Sequence, residues 1–275
     1  MTEPTPSCFR GELRMLVDSS LATPDEGAWV LARDAYPTLN VEHYRERLDV
    51  IADRVAQALS RSSTLRDQVD ALRVEVYDAA GLRGNVVAYH DPRNSYLNDV
   101  LDRGLGIPIS LAVATMGVAR RAGVVVEGVT FPGHFLVRLG GPGGPYADPF
   151  DRLKILSERA MEELARRALG ADAQLRASHL EPATTRAILV RMLGNLQAVH
   201  TRRRDHARAL QVCDRLVELE AGLPALRDRG LHALALGNVG SATSDLQTYL
   251  STAKDPPDRA KIEAALERTR PARWN

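Results

Sequence analysis

Hydrophobic spacing divides the chain into an N-terminal helical part, a short β part and a long C-terminal helical part. Apolar residues recur at helical intervals over 41–59 and 65–77, which predicts two helices. Another helix is predicted to begin after Thr23, because this capping residue is followed by a proline and two acids. Residues 1–22 have weak periodicity, and we expect a flexible lead-in there.

In the middle of the chain, the hydrophobic pattern is typical of a helix before Gly123 and of β-strands after it. A helix is predicted over 109–122, and because it is apolar nearly all round we expect it to be buried. A valine-rich segment over 124–130, an apolar segment over 135–139 and the segment 146–150, which Pro149 ends, predict short strands. Helices followed by strands are typical of an α+β domain.

From Ser157 onward the pattern is helical throughout. One segment over 161–169 is followed by two helix pairs, which cover 185–219 and 224–253. Ala207 in the first pair matches Ala242 in the second at an offset of 35, close to the period of about 34 residues of tetratricopeptide repeats. A plain helical bundle is the alternative.

These patterns predict three parts. They are a lead-in over 1–22, an α+β domain over 23–155 and an all-α domain over 156–270 that resembles tetratricopeptide repeats.

Overall charge is balanced, with 36 Lys or Arg against 35 Asp or Glu. This balance argues against a strongly basic nucleic-acid binder. Residues 1–100 contain 11 Arg and 16 acidic residues, whereas 151–275 contain 21 basic and 16 acidic ones. The basic C-terminal part is the only feature that favours a regulator acting on nucleic acid, and no base-reading motif accompanies it. We therefore do not expect a nucleic-acid partner.

Cysteine content and hydropathy bear on the compartment. Cys8 and Cys213 do not form a disulfide framework or a zinc motif, and no basic-then-apolar leader opens the chain. The apolar run over 107–119 is too short to span a bilayer. We predict a cytoplasmic protein without a membrane partner, a metal or another cofactor.

Three residues could form a nucleophilic site. Ser110 is predicted to lie at a helix N-terminus, His134 to open one strand and Asp148 to end the next. A helix N-terminus favours a developing anion, an imidazole can accept the nucleophile's proton, and a carboxylate can orient the imidazole. Taken singly, the residues also fit a helix cap, a partly buried histidine and a turn opener.

Longer motifs surround these residues: 91–98 (DPRNSYLN), 106–111 (GIPISL), 131–138 (FPGHFLVR) and 147–150 (ADPF). Together they resemble the SirB-type family, in which a transglutaminase-like domain of the papain-like superfamily precedes tetratricopeptide repeats. The resemblance covers about residues 25–255. It implies a site with a cysteine on a helix, a histidine on a strand and an aspartate on the next strand.

The sequence departs from that pattern at the nucleophile, because Ser110 stands where the resemblance implies a cysteine. A hydroxyl is much harder to ionise than a thiol. We therefore predict a non-catalytic protein, a pseudoenzyme, that binds a protein or peptide partner through a degenerate cleft and its helical repeats. The alternative is a hydrolase or acyl transferase with a Ser110, His134 and Asp148 triad.

Three further residues are predicted to contribute to binding at the same cleft. Asn98 is the main candidate, with Asn94 and Gly133 beside it. The asparagines could instead hold a long loop together by side-chain hydrogen bonds.

Overall fold

The computed structural model describes residues 11–19, 21–59 and 64–268. The helices in these ranges are α1 Glu12–Asp18, α2 Pro24–Ala35, α3 Val41–Leu59, α4 Leu65–Leu72, α5 Leu97–Arg103, α6 Pro108–Arg121, α7 Glu158–Leu169, α8 Thr185–Arg202, α9 His206–Glu218, α10 Leu223–Ala235, α11 Val239–Thr252 and α12 Arg259–Glu267. The strands are β1 Arg83–Gly84, β2 Leu105–Gly106, β3 Val126–Val129, β4 Leu136–Leu139, β5 Tyr146–Asp148 and β6 Lys154–Ile155.

This order confirms the predicted fold class, an α+β domain followed by helical repeats. The chain forms two compact units. Among the described residues, one consists of those within 15–192, and the other contains 193–268 together with 11–14. The division falls later than the predicted boundary at 155, because α7 and the first half of α8 belong to the α+β unit.

Helix α6 is the centre of the α+β unit. The residues from Pro108 to Ala119 are all buried, as the apolar pattern predicts. α6 packs against α2, α3, α5 and β3, and also against a short 3-10 turn, Pro149–Asp151, that follows β5. Within the ranges that the structure describes, no helix has the length and apolar composition needed to cross a bilayer.

The main sheet is antiparallel, in the order β3-β4-β5-β6. β1 and β2 form a separate parallel pair in which Gly84 lies opposite Gly106. One core cluster joins the main sheet to α7. It contains Val129, Phe131, Leu136, Met161 and Ala165.

The repeat unit contains two helix pairs, as predicted, but the repeat register differs. Ala207 is exposed, whereas Ala209 and Ala242 are fully buried. Each buried alanine follows an N-cap residue by four positions, Asp205 in α9 and Asn238 in α11. The offset of 35 between Ala207 and Ala242 is therefore wrong, and the equivalent buried alanines are 33 residues apart.

Several elements depart from the sequence pattern or were not predicted by it, among them the short strands β1 and β2. α1 forms inside the expected lead-in, with Leu13 fully buried, while residues 1–10 lie outside the described ranges. α5 forms within a polar, turn-rich stretch because Leu97 and Val100 are buried by tertiary packing. β6 and α12 complete the sheet and the repeat unit.

Candidate functional site

The best-defined polar pair in the α+β unit is His134 with Asp148. His134 Nε2 lies 2.9 Å from Asp148 Oδ1. The two residues meet because β4 and β5 are antiparallel neighbours, with Val137 opposite Ala147. This is the hydrogen bond that the predicted site requires. Because Nε2 makes this bond, Nδ1 is the His134 nitrogen that could contact a second group.

Local backbone geometry holds both side chains. Asp148 Oδ1 also accepts the Phe150 N–H at 2.8 Å and caps the 3-10 turn. Gly133, just before the histidine, has a φ of +66°, and a Cβ there would lie 2.5 Å from the Ala168 Cβ. A larger residue at 133 would be strained and would also clash with α7.

Ser110 makes local hydrogen bonds. Its Oγ lies 2.5 Å from the Asn94 carbonyl oxygen and accepts the Ile107 N–H at 3.1 Å. The side chain is fully buried at the third position of α6, where it closes a capping arrangement. Among the described residues no hydrogen bond joins Ser110 to His134. The structure therefore brings His134 and Asp148 into hydrogen-bond contact, whereas the Ser110 hydroxyl bonds backbone groups.

Phe150 and two glycines connect these groups. The Phe150 ring centroid is 6.5 Å from that of His134, in an edge-to-face arrangement. The same ring packs on Gly84, where a Cβ would lie 2.6 Å from a ring carbon. Gly84 pairs with Gly106, and a Cβ at Gly106 would lie 2.8 Å from Ser110 Oγ. Ser110 and His134 thus belong to one continuously packed region.

Asn94 stabilises the loop before α5. Its Nδ2 donates to the carbonyls of Ala88 and Tyr89, and its Oδ1 accepts from Asn85 and Arg103. These four contacts satisfy the buried amide in full. The contacts support the loop-holding alternative for Asn94, and its role in binding stays a prediction.

Asn98 differs from Asn94. It is 5% exposed on α5, and its Oδ1 has no hydrogen-bond partner among the described residues. A buried acceptor without a partner is costly and is a place where a ligand or a water can bind. The part of Asn98 in binding remains a prediction.

Two tyrosines near Asp148 stay protonated. Burial raises the pKa of Tyr77, whose hydroxyl lies 2.7 Å from Thr115 Oγ1 on α6. Burial also raises the pKa of Tyr89, where the charge of Arg191 acts against the shift and the charge of Asp148 adds to it. Both groups act at neutral pH as hydrogen-bonding phenols.

Among the described residues no thiol stands in place of Ser110. Cys213 is buried in α9, and burial raises the pKa of its thiol to about 12, so it stays protonated at neutral pH. Cys8 lies outside the described residues. Within the described ranges, no three His, Cys, Asp or Glu side chains cluster in a way that could hold a metal ion.

Comparison with known proteins agrees with this architecture. Residues 42–194 match the model of the transglutaminase-like superfamily, and residues 196–267 match a tetratricopeptide repeat model. The chain therefore combines a transglutaminase-like domain with tetratricopeptide repeats.

Curated relatives define the family more closely. A UPF0162 protein of Xylella fastidiosa strain Temecula1 is 40% identical over 244 residues, covering 84% of this chain and 87% of that protein. A UPF0162 protein of Vibrio cholerae is 27% identical, with the same coverage of both chains. Human F-box only protein 21 is 33% identical over 148 residues, half of this chain and 23% of that protein. The chain belongs to the SirB-type UPF0162 family.

Proposed function

We propose that this protein is a non-catalytic interaction protein, in which a transglutaminase-like cleft and tetratricopeptide repeats bind a protein or peptide partner. The observation that carries the proposal is the bonding of Ser110. Its hydroxyl is fully buried and lies 2.5 Å from the Asn94 carbonyl oxygen, so it serves the α6 N-terminus. Among the described residues the hydroxyl hydrogen-bonds backbone groups and makes no hydrogen bond to His134, which a serine nucleophile would need for its activation.

Exposed apolar residues that precede Tyr89 in the chain support peptide binding. Val86 and Val87 are 76% and 95% exposed. They adjoin Tyr89, whose ring centroid is 6.0 Å from that of Phe150. Exposed apolar side chains next to a polar, hydrogen-bonded centre are typical of a recognition surface.

The repeats supply a second reason to propose a protein partner, since stacked helix pairs commonly form protein-binding surfaces. We place the protein in the cytoplasm, where its sparse, unpatterned cysteines would remain reduced.

A serine hydrolase or acyl transferase is the second candidate function. The observation that favours it is the 2.9 Å hydrogen bond between His134 and Asp148, which would orient an imidazole as a general base. Ser110 would then have to leave its backbone partners to become the nucleophile.

Covalent labelling separates the two candidates. We expect no adduct on Ser110 when the purified protein is incubated with a broad set of fluorophosphonate probes and analysed by peptide mass spectrometry. An adduct on Ser110 that disappears in His134→Ala and Asp148→Asn would establish the hydrolase instead.

Partner capture tests the binding role. In cross-linking experiments in cells of the source organism, Ser110→Ala that is verified as folded should recover the same partner as the wild type. Val87→Asp should lose that partner, because the change places a charge on the exposed apolar surface that Val86 and Val87 form. Val50→Asp, at a 51% exposed valine of α3, is the matched control and should retain it. Loss of the partner in Ser110→Ala alone would contradict the proposal.

A further inference from the structure

A second concave surface lies in the α+β unit at the C-terminal end of α6, the opposite end from Ser110. It encloses about 470 Å³, within the range of ligand-binding pockets. The surface is formed by the start of α2, the last turns of α6, strand β3 with the residues just before it, and the segment 182–188. Its lining includes Asp25, Met116, Arg120, Val126, Gly128 and Ala183.

Strand β3 forms one wall, and its outer edge has no partner strand among the described residues, although Ala183 contacts it at Gly128. β3 pairs with β4 alone among the described strands. The Gly140 N–H donates to the Val125 carbonyl, and the Leu139 N–H donates to the Pro145 carbonyl. Since backbone groups of successive residues face opposite edges, Val125 bonds toward β4 and Val126 faces outward.

The outward backbone groups point into this surface. The Ala183 N–H donates to the Gly128 carbonyl at 2.8 Å from the groove side, which fixes the direction of that residue. The N–H and carbonyl of Val126 and the N–H of Gly128 have no hydrogen-bond partner among the described residues. Val126 is partly exposed and Gly128 is buried in the wall of the groove. Unpaired backbone groups that line a groove in this way are a template for another extended chain.

The charged side chains of the groove indicate which peptide side chain it would bind. Asp25 is buried and bonds Arg121 at 2.7 Å, and Glu127 bonds Arg138 at 2.7 Å. Both carboxylates are thus neutralised by arginines outside the lining. Arg120 has a side chain that is 49% exposed, and it donates one hydrogen bond, at 3.3 Å, to Asp25, which Arg121 already contacts at 2.7 Å. The groove therefore presents one available positive charge beside an open strand edge.

We propose that this groove binds an extended peptide segment as an added strand along β3, with an acidic side chain of the peptide paired to Arg120. The backbone of the peptide bonds Val126 and the Gly128 N–H, and continues the hydrogen-bonding row that Ala183 begins. Met116 and Ile188 contribute apolar contacts along the floor. This site is separate from the His134 cleft and does not depend on the function proposed for that cleft.

A random octapeptide library displayed on phage, selected against the full-length protein, tests the proposal. The selected peptides should share β-forming residues around an Asp or Glu. Amide hydrogen exchange with a selected peptide bound should show protection at Val126 and Gly128. Protection confined to 86–89 would favour the His134 cleft and overturn this site, as would a selection without enrichment.

Two variants test the contacts by fluorescence anisotropy with a selected peptide. Val126→Pro removes the outward N–H and keeps the β4 ladder, and Arg120→Gln removes the charge. Each should weaken binding at least tenfold, while Val126→Ala and Arg159→Gln, at an exposed arginine of α7, stay within twofold of wild type. Equal affinity in Val126→Pro and Arg120→Gln would overturn the proposal. The exchange measurement on wild type decides if Val126→Pro does not fold.

Discussion

The hydroxyl of Ser110 lies 2.5 Å from the carbonyl oxygen of Asn94, 16 residues earlier in the chain. The Ser110 Oγ also accepts the Ile107 N–H, so one buried side chain joins the loop before α5 to the first turn of α6. The bond that stabilises this junction also occupies the atom that a serine enzyme would use. Stability and reactivity at Ser110 are therefore coupled.

Ser110→Ala should lower the free energy of unfolding by about 1 kcal/mol, because the Ile107 N–H and the Asn94 carbonyl each lose the hydroxyl and keep the longer 3.4 Å hydrogen bond to each other. Urea unfolding followed by circular dichroism measures the change. Thr130→Ala, at an exposed position of the same unit, should change stability by less than about 0.5 kcal/mol. Equal stability of Ser110→Ala and wild type would contradict the capping role.

Asp25 is the buried acid of the α+β unit and contacts Arg120 and Arg121. Burial acts to raise the pKa of Asp25, but the hydrogen bond and charge of Arg121 outweigh it, so the pKa is lowered. Asp25→Ala should cost about 3–5 kcal/mol in unfolding free energy, since it leaves the guanidinium of Arg121 largely buried without its main partner.

Asp49→Ala is the matched control for Asp25, because Asp49 also bonds Arg121 but has a side chain that is 57% exposed. The cost should stay below about 1 kcal/mol. Thermal unfolding of both variants measures the difference, and equal destabilisation would show that burial does not govern this cluster.

Arg229 links α10 to α11 through two 2.7 Å hydrogen bonds to the buried Asp245. Arg229→Ala should destabilise the repeat unit by about 3 kcal/mol, because a buried carboxylate loses its charge partner. Hydrogen exchange of α10 and α11 reports this loss locally. Arg259→Ala, which breaks a 3.6 Å exposed pair with Glu263, should leave those helices unchanged. Unaltered exchange in Arg229→Ala would count against the prediction.

The repeat unit should become less stable between pH 7 and pH 5. His232 Nδ1 lies 3.1 Å from His206 Nδ1, and its Nε2 lies 3.1 Å from Thr201 Oγ1. Burial lowers the pKa of His232, His206 lowers it further, and the charge of Asp228 opposes the shift. Burial also lowers the pKa of His200.

The direction of the pH effect follows from these lowered pKa values. Above the ordinary histidine pKa, these imidazoles are neutral in the folded and in the unfolded protein. Below that pKa, the unfolded chain takes up protons that the folded unit does not. As the pH falls, the free energy of unfolding therefore decreases by up to about 1.4 kcal/mol per pH unit for each proton taken up. His232→Asn should flatten this slope in urea titrations. His179→Asn, at a partly exposed histidine outside the repeat unit, should leave it unchanged, and equal slopes in all three proteins would refute the assignment.

Much of the α+β unit could be predicted because local patterns matched the tertiary environment. The uninterrupted apolar surface of α6 predicted a buried helix, and adjacent short strands predicted that His134 and Asp148 would meet. The buried alanines of the repeats were harder to place, since Ala207 and Ala209 lie two residues apart and only packing distinguishes them.

The sequence by itself determined the fold class, the repeats and the pairing of an imidazole with a carboxylate, because these depend on periodicity and on neighbouring strands. Only the tertiary structure decided that the Ser110 hydroxyl bonds Asn94, that α5 forms, and that the outer edge of β3 stays open. Such outcomes depend on which distant groups meet. A hydroxyl or a backbone amide takes whichever partner the folded chain brings within about 3 Å.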